Sequence, residues 1–356
     1  MAWPDKRLLD LFGIETPIVQ APMANATGVD MAVTVSEAGG LGSFPCAGLS
    51  DDKIREGVAA IRSRTRKPIN LNFFCHELAP ADEARDAAWL ERLAPYYAEL
   101  GAEMPKLPLK ATIFRFTEAT CAAVEALRPE VVSFHFGLPD AALVARVKKA
   151  GCKIISSATT LREARFLAER GVDAIIAQGA EAGGHRGMFL ETEIASQIGT
   201  LALVQQIVAA VSMPVIAAGG IGDGRGIAAT FALGAAGVQI GTAYLGCPEA
   251  TTAALHKAAL AEPGRATVIT DVLSGRPARG ILNRFIREQG PIDPGRPAYP
   301  LATPALAPLR KAAEAKGSGD FSWFWSGQGA SPLSGIGAKD LTRQLADQAQ
   351  AQLGKL

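Results

Sequence analysis

Short apolar runs, most of them rich in β-branched residues, alternate with helix-length segments through the first two-thirds of the chain. The runs are Thr16–Met23, Leu41–Phe44, Ile69–Phe74, Val131–Phe136, Lys153–Ser157, Ala174–Gln178, Met213–Ala218 and Val238–Gly241. A strand that reads as nearly continuous apolar sequence is buried on both faces, which is the condition of a parallel sheet covered by its crossover helices. Eight such strands is the number that closes a (β/α)8 TIM barrel. The helices between them carry stop and start signals: Ser50, Thr117 and Thr160 stand at cap positions, and Gly39-Gly40, Gly171 and Gly234 stand at ends. The competing architecture, a doubly wound open sheet, usually carries Gly-x-Gly-x-x-Gly after its first strand. Here Ala21-Pro-Met-Ala-Asn-Ala26 follows instead, and Gly222-Asp-Gly-Arg-Gly226 has the wrong spacing for that fingerprint.

The rhythm breaks twice. Residues 80–130 hold two or three helical segments where one is expected, which reads as an enlarged connection. Beyond about residue 250 the pattern changes to a helix over Thr251–Ala261, a Gly-, Pro- and Arg-rich loop over 268–300, and a helix over Pro304–Ala315. The aromatic cluster Phe321–Trp325 leads into Ser326-Gly-Gln-Gly329, and an amphipathic helix over Asp340–Leu353 ends the chain. The expected division is a barrel over 1–248, a helical or loop covering segment over 249–330, and a C-terminal helix over 331–356.

A net charge of +1 gives no global reason to bind nucleic acid or an anionic membrane, so an anionic ligand needs a local site. The five cysteines are odd in number and show no metal-type Cys-x-x-Cys spacing, which argues against a disulfide framework and for a reducing cytoplasm. The N-terminus has no apolar signal core, and no apolar run reaches the roughly 18 residues of a spanning helix. A cytoplasmic protein, a monomer or small homo-oligomer, is expected.

In a barrel the chemistry collects at the C-terminal ends of the strands. Those ends place Gln20, Met23, Asn72, His135, Gln178–Arg186, Gly219-Gly220 and Gln239–Thr242 around one mouth. The turns after the seventh and eighth strands are the usual phosphate position, and Gly219, Gly220, Gly241 and Thr242 supply small residues and a hydroxyl there. After the sixth strand, Gln178-Gly-Ala-Glu-Ala-Gly-Gly-His-Arg-Gly187 packs four glycines around His185 and Arg186, a pattern suited to close approach of a ligand and to proton chemistry. Arg186 either meets an anion or pins the loop through an ion pair. His135 alternates with Phe134 and Phe136 and so points into the barrel. His76 and His256 read as surface or structural residues. No histidines pair at helical metal spacing, so no metal site is expected.

Gln20-Ala-Pro-Met-Ala24, Ala38-Gly-Gly-Leu-Gly42, Asn70-Leu-Asn-Phe-Phe74, Phe134-His-Phe-Gly137, the Gln178–Gly187 loop, Ala218-Gly-Gly-Ile221 and Gln239-Ile-Gly-Thr242 occur in this order. Together they resemble the nitronate monooxygenases, formerly called 2-nitropropane dioxygenases, and the His-Arg-Gly loop resembles the bacterial class. The resemblance covers roughly residues 10–330; Asn25-Ala-Thr-Gly28 departs from it, where the family more often has Gly followed by Ser or Thr. It implies a barrel that binds FMN non-covalently, with a smaller, mainly helical second domain over the C-terminal mouth. It further implies FMN contacts from Met23, Asn72, Gln178, Gly183, Gly219, Gly220, Gln239, Gly241 and Thr242. His135 and His185 would face the substrate, with Tyr299 an additional substrate contact.

The activity so implied is oxidation of an alkyl nitronate with O2 to a carbonyl compound and nitrite. His185 would bind the nitro oxygens, or act as base toward a neutral nitroalkane. The nearest alternative is a flavin-dependent enoyl-acyl carrier protein reductase of the same superfamily, which NADH would reduce. An inosine-monophosphate-dehydrogenase-like barrel needs a nucleophilic cysteine after the sixth strand, and no cysteine occurs between Cys152 and Cys247. A non-catalytic flavin carrier has no use for two histidines in the site.

Overall fold

The computed structural model describes residues 3–80, 82–111, 115–329 and 335–355. Its strands are β1 (Ile18–Gln20), β2 (Gly42–Pro45), β3 (Ile69–Phe74), β4 (Val131–His135), β5 (Lys153–Ala158), β6 (Ala174–Gln178), β7 (Gly184–His185), β8 (Val215–Ala218), β9 (Gly237–Ile240), β10 (Thr267–Thr270) and β11 (Ala278–Ile281). Eight of them form one sheet in the order β1-β9-β8-β6-β5-β4-β3-β2. All its ladders are parallel, and a further parallel bridge between Val19 and Leu41 joins its two edges into a barrel. The eight apolar runs of the sequence are these eight strands. The three helix caps also stand where the sequence places them. Ser50 accepts from the Lys53 amide, Thr117 from that of Thr120 and Thr160 from that of Glu163.

Alternation along the strands divides the apolar side chains between two layers. Ile18, Val132, Phe134, Ile154, Ile175, Ala217 and Val238 point outward into the layer beneath the helices. Val19, Leu41, Val131, Ile155, Ala174, Ile176 and Ile216 point inward, where Leu8 and Phe12 of the helix Arg7–Phe12 plug the lower end. Burial of each large aliphatic side chain stabilises the fold by roughly 1.5–3 kcal/mol. Toward the C-terminal ends the inward positions turn polar: Asn70, Asn72, Ser133, Ser157, Gln178 and Gln239. The barrel is thus dry below and polar above.

A second core lies apart from the first. Trp89, Leu90, Leu93, Tyr96 and Tyr97, on the long helix Glu83–Leu100 of the enlarged connection, pack against Val272, Phe285, Leu306, Leu309 and Phe321. The Tyr97 hydroxyl donates to the Ala305 carbonyl at 2.6 Å. The enlarged connection and the C-terminal segment therefore fold together. The reading of 268–300 as loop needs correction: it holds part of β10, all of β11 and a helix over Arg284–Gln289. β10 and β11 pair antiparallel, and β11 pairs with β7, which lies inside the glycine-histidine loop. Strands of two to four residues leave almost no periodic signal, and their partners are distant in sequence. The covering segment is accordingly a small sheet with helices. The final helix, Ala338–Leu353, packs on the helices Gly224–Ala232 and Val29–Glu37, in the place of an eighth barrel helix. The expected boundary at 330–331 lies outside the described residues. Among the described residues no helix is long and apolar enough to cross a membrane.

Candidate active site

A cavity of about 1110 Å³ opens at the C-terminal end of the barrel. It exceeds the roughly 300–1,000 Å³ usual for a single small ligand, so it has room for a cofactor and a substrate together. Met23, Asn72, His135, Gln178, Gly183, His185, Gly219, Gly220, Gln239, Gly241, Thr242 and Tyr299 all line it. The barrel topology brings eleven of these together from six strand ends, and the covering segment adds Tyr299.

The loop after β6 is held from within. Arg186 is fully buried, and its guanidinium donates to the carbonyls of Gly179 and Gln178, both at 2.6 Å, and to Gln197 Oε1 at 2.9 Å. The ion pair expected of a loop-pinning arginine is replaced by two carbonyl dipoles and an amide. Burial draws its pKa down to about 10, so the charge persists at neutral pH. Gln178 also turns back on the loop: Oε1 accepts from the Gly187 amide at 2.6 Å, and Nε2 donates to the His185 carbonyl at 3.1 Å.

The two histidines differ in what their nitrogens do. His135 Nε2 lies 3.1 Å from the His185 carbonyl, which only accepts, so this nitrogen carries the proton. Nδ1 lies 3.1 Å from Ser157 Oγ and accepts from it. Both ring nitrogens of His135 are therefore engaged by protein. His185 Nε2 meets Ser274 Oγ at 2.9 Å, and Nδ1 has no protein partner among the described residues. Burial is the chief cause that pushes both pKa values down, to about 3 for His185 and about 4 for His135, with the Arg276 guanidinium adding to it. Both rings are neutral at physiological pH. An aromatic wall of Trp325 and Tyr299, with ring centroids 5.3 and 5.4 Å from His185, closes its flanks.

Phe136 follows His135 with φ 69, in the left-handed region that a bulky residue enters only under strain. That conformation turns its ring under the Arg276 guanidinium, 4.0 Å from Cζ, and edge-on to Tyr299. His76, read from sequence as surface or structural, is buried behind this group, edge-on to Tyr299 at 5.0 Å. His256 lines the cavity and donates from Nε2 to the Trp325 carbonyl at 3.0 Å.

At the opposite end, Gly219 and Gly220 take φ values of 120 and 71 after β8. A Cβ on Gly183 would lie 2.4 Å from the Gly327 amide nitrogen, which fixes glycine there by close approach. That amide donates to Thr242 Oγ1 at 2.9 Å, so the Ser326–Gly329 segment closes over the turn. Gln239 Oε1 is buried without a protein partner among the described residues. Sequence reasoning gave no role to Ser157, Ser274, Trp325, Gly327 or Gly329, all but Gly329 in hydrogen-bond or ring contact with a site residue and all lining the cavity. Ser157 was within reach, because its β5 position shares the inward parity of Ile155. The others arrive through tertiary pairing alone.

The model of one family, described as nitronate monooxygenase, matches residues 5–348. A nitronate monooxygenase of Pseudomonas aeruginosa is 44% identical over 346 residues, covering 96% of this chain and 98% of the relative. A nitroalkane oxidase from Streptomyces ansochromogenes superposes with a TM-score of 0.89 at 36% identity, covering 98% of this chain and 99% of that one. FabK from Thermotoga maritima superposes less closely, with a TM-score of 0.74 at 28% identity over 99% of this chain and 98% of that one. These matches span the barrel, the glycine-histidine loop and the covering segment, and the chain belongs to the nitronate monooxygenase family.

Proposed function

We propose that the chain is an FMN-dependent oxidoreductase that converts alkyl nitronates with O2 to carbonyl compounds and nitrite. The observation that carries this reading is a neutral imidazole, His185, with one nitrogen unengaged by any described residue, in a cavity whose other end is a glycine cradle. The cradle fits a flavin phosphate. Gly219 and Gly220 hold positive-φ backbone at the cavity wall, where a Cβ on Gly219 would lie 2.8 Å from Thr200 Oγ1, and the Thr242 hydroxyl, which accepts from Gly327, keeps its own proton to donate. Gln239 Oε1, buried without a partner among the described residues, and Asn72 on the cavity floor suit the polar edge of the flavin ring. Bound FMN would supply the electron acceptor for the substrate and the route to O2.

The chain's own residues bind, orient and handle protons. A nitronate is already an anion and needs no base. Its charge beside His185 would favour the protonated ring, drawing the pKa back up, so the same imidazole can donate to a nitro oxygen. Toward a neutral nitroalkane the free Nδ1 lone pair is the base. His135 holds the His185 carbonyl instead of meeting substrate. The aromatic wall excludes water, and Tyr299 borders the substrate.

The test is aerobic nitrite release by the purified yellow protein from a panel of nitronates, with an anaerobic NADH control. Nitrite with each turnover and no NADH bleaching is expected. Bleaching by NADH with no nitrite release would overturn the reading in favour of an enoyl-thioester reductase.

A further inference from the structure

We propose that Ser274 is the positioning residue that fixes His185 in its Nε2–H tautomer, so that Nδ1 is the atom offered to the substrate. The inference rests on His185 as the residue that meets substrate, and it is carried by the direction of two hydrogen bonds. Ser274 Oγ lies 2.9 Å from His185 Nε2 and 3.2 Å from the carbonyl oxygen of Arg276. A serine hydroxyl has one proton, and a carbonyl only accepts, so that proton goes to Arg276. Oγ then has only lone pairs to offer His185, and Nε2 must be the donor. In a neutral ring this leaves the lone pair on Nδ1.

The rest of the surroundings hold the His185 backbone and leave this choice open. Its carbonyl accepts from His135 Nε2 and Gln178 Nε2, and its backbone is paired to Ala278 of β11. Ring rotation remains, and a flipped ring would turn carbon toward Ser274 and lose the bond. Ser274 is itself held rigidly. The Gly275 amide donates to the Asp271 carbonyl at 2.8 Å, and buried Asp271 pairs with Arg296 at 3.0 Å. A Cβ on Gly275 would lie 2.6 Å from the Tyr299 nitrogen, so this turn sits directly on the covering segment's backbone. The covering segment thus supplies the residue that decides which nitrogen of a barrel histidine does the work.

The experiment uses FMN-loaded, histidine-15N-labelled protein and long-range 15N–1H correlation spectra at neutral pH. The expected wild-type His185 signals are those of a neutral Nε2–H ring. In Ser274→Ala they move to the averaged positions of two exchanging tautomers. In parallel, the ratio of nitroalkane to nitronate turnover falls about 10-fold or more in Ser274→Ala, because proton abstraction depends on the placed lone pair. A wild-type Nδ1–H ring, or an unchanged tautomer in the variant, overturns the proposal. Both spectra can be read on protein that turns over no nitronate, so a failure of the proposed activity is separable. Flavin absorbance and Tm of the variant report whether it folds, and the wild-type spectrum decides the case if it does not.

Discussion

A histidine that moves protons needs one nitrogen tied down and the other open, and this pair divides the two conditions. His135 spends both nitrogens on Ser157 and the His185 carbonyl, whereas His185 spends one on Ser274. His185→Asn keeps the bulk near Ser274 but removes the proposed base, so it should retain FMN by its absorbance spectrum and lose about 100-fold or more of its nitrite release. Because burial holds the His185 pKa at about 3, well under the ordinary 6.5, the neutral base persists far into acid. For a neutral nitroalkane kcat/KM should stay level as pH falls from about 8 to about 5, where an unperturbed histidine would already have lost activity below about 6.5. An acid limb near 6.5 in the rate profile would contradict the burial of the ring.

At the scale of elements the decisive unit is the loop after β6, together with the strands that catch it. Arg186 satisfies two loop carbonyls that no other described side chain reaches. Arg186→Met leaves the buried Gln178 carbonyl without a donor among the described residues, at about 1–3 kcal/mol, leaves that of Gly179 with the Ala182 amide alone, and removes the bond to Gln197. A drop in unfolding free energy of about 2–5 kcal/mol is expected in chemical denaturation, with loss of turnover. Gly183→Ala tests the other arm of the loop. Its Cβ would strike the Gly327 amide at 2.4 Å and push the Ser326–Gly329 segment off Thr242. FMN affinity, followed by flavin fluorescence, should weaken about 10-fold or more, which is about 1.4 kcal/mol. The loop's composition announced a special backbone, but its pairing with β11 left no mark in a sequence whose β7 is two residues long.

At the scale of the whole molecule two cores meet around the cavity, and the histidines lie in that seam. The pKa values of His76, His135 and His256 are each lowered to about 4 and that of His185 to about 3, mainly by burial. As pH falls below 6.5 the unfolded chain takes up protons that the native rings refuse until nearer 4, so stability declines through that window. Tm should therefore fall by several degrees, on the order of 5–10 °C, between pH 7.5 and 5 in scanning calorimetry. A constant Tm over that interval would show that the rings are hydrated in solution.

The sequence by itself determined the barrel, because eight buried strands are an apolar pattern at short range. It also determined many of the residues that stand at the cavity: position at a strand's end follows from the strand, as with Asn72, Gln178 and Gln239. Tertiary structure alone decided how those residues are wired. Ser274 reaches His185 across 89 residues, and the Tyr97 hydroxyl reaches Ala305 across 208. The covering sheet joins segments too short to show a period. Periodicity reports which face of an element is buried; which hydrogen bonds form there depends on how distant segments close together, and that closure fixes the free nitrogen of His185.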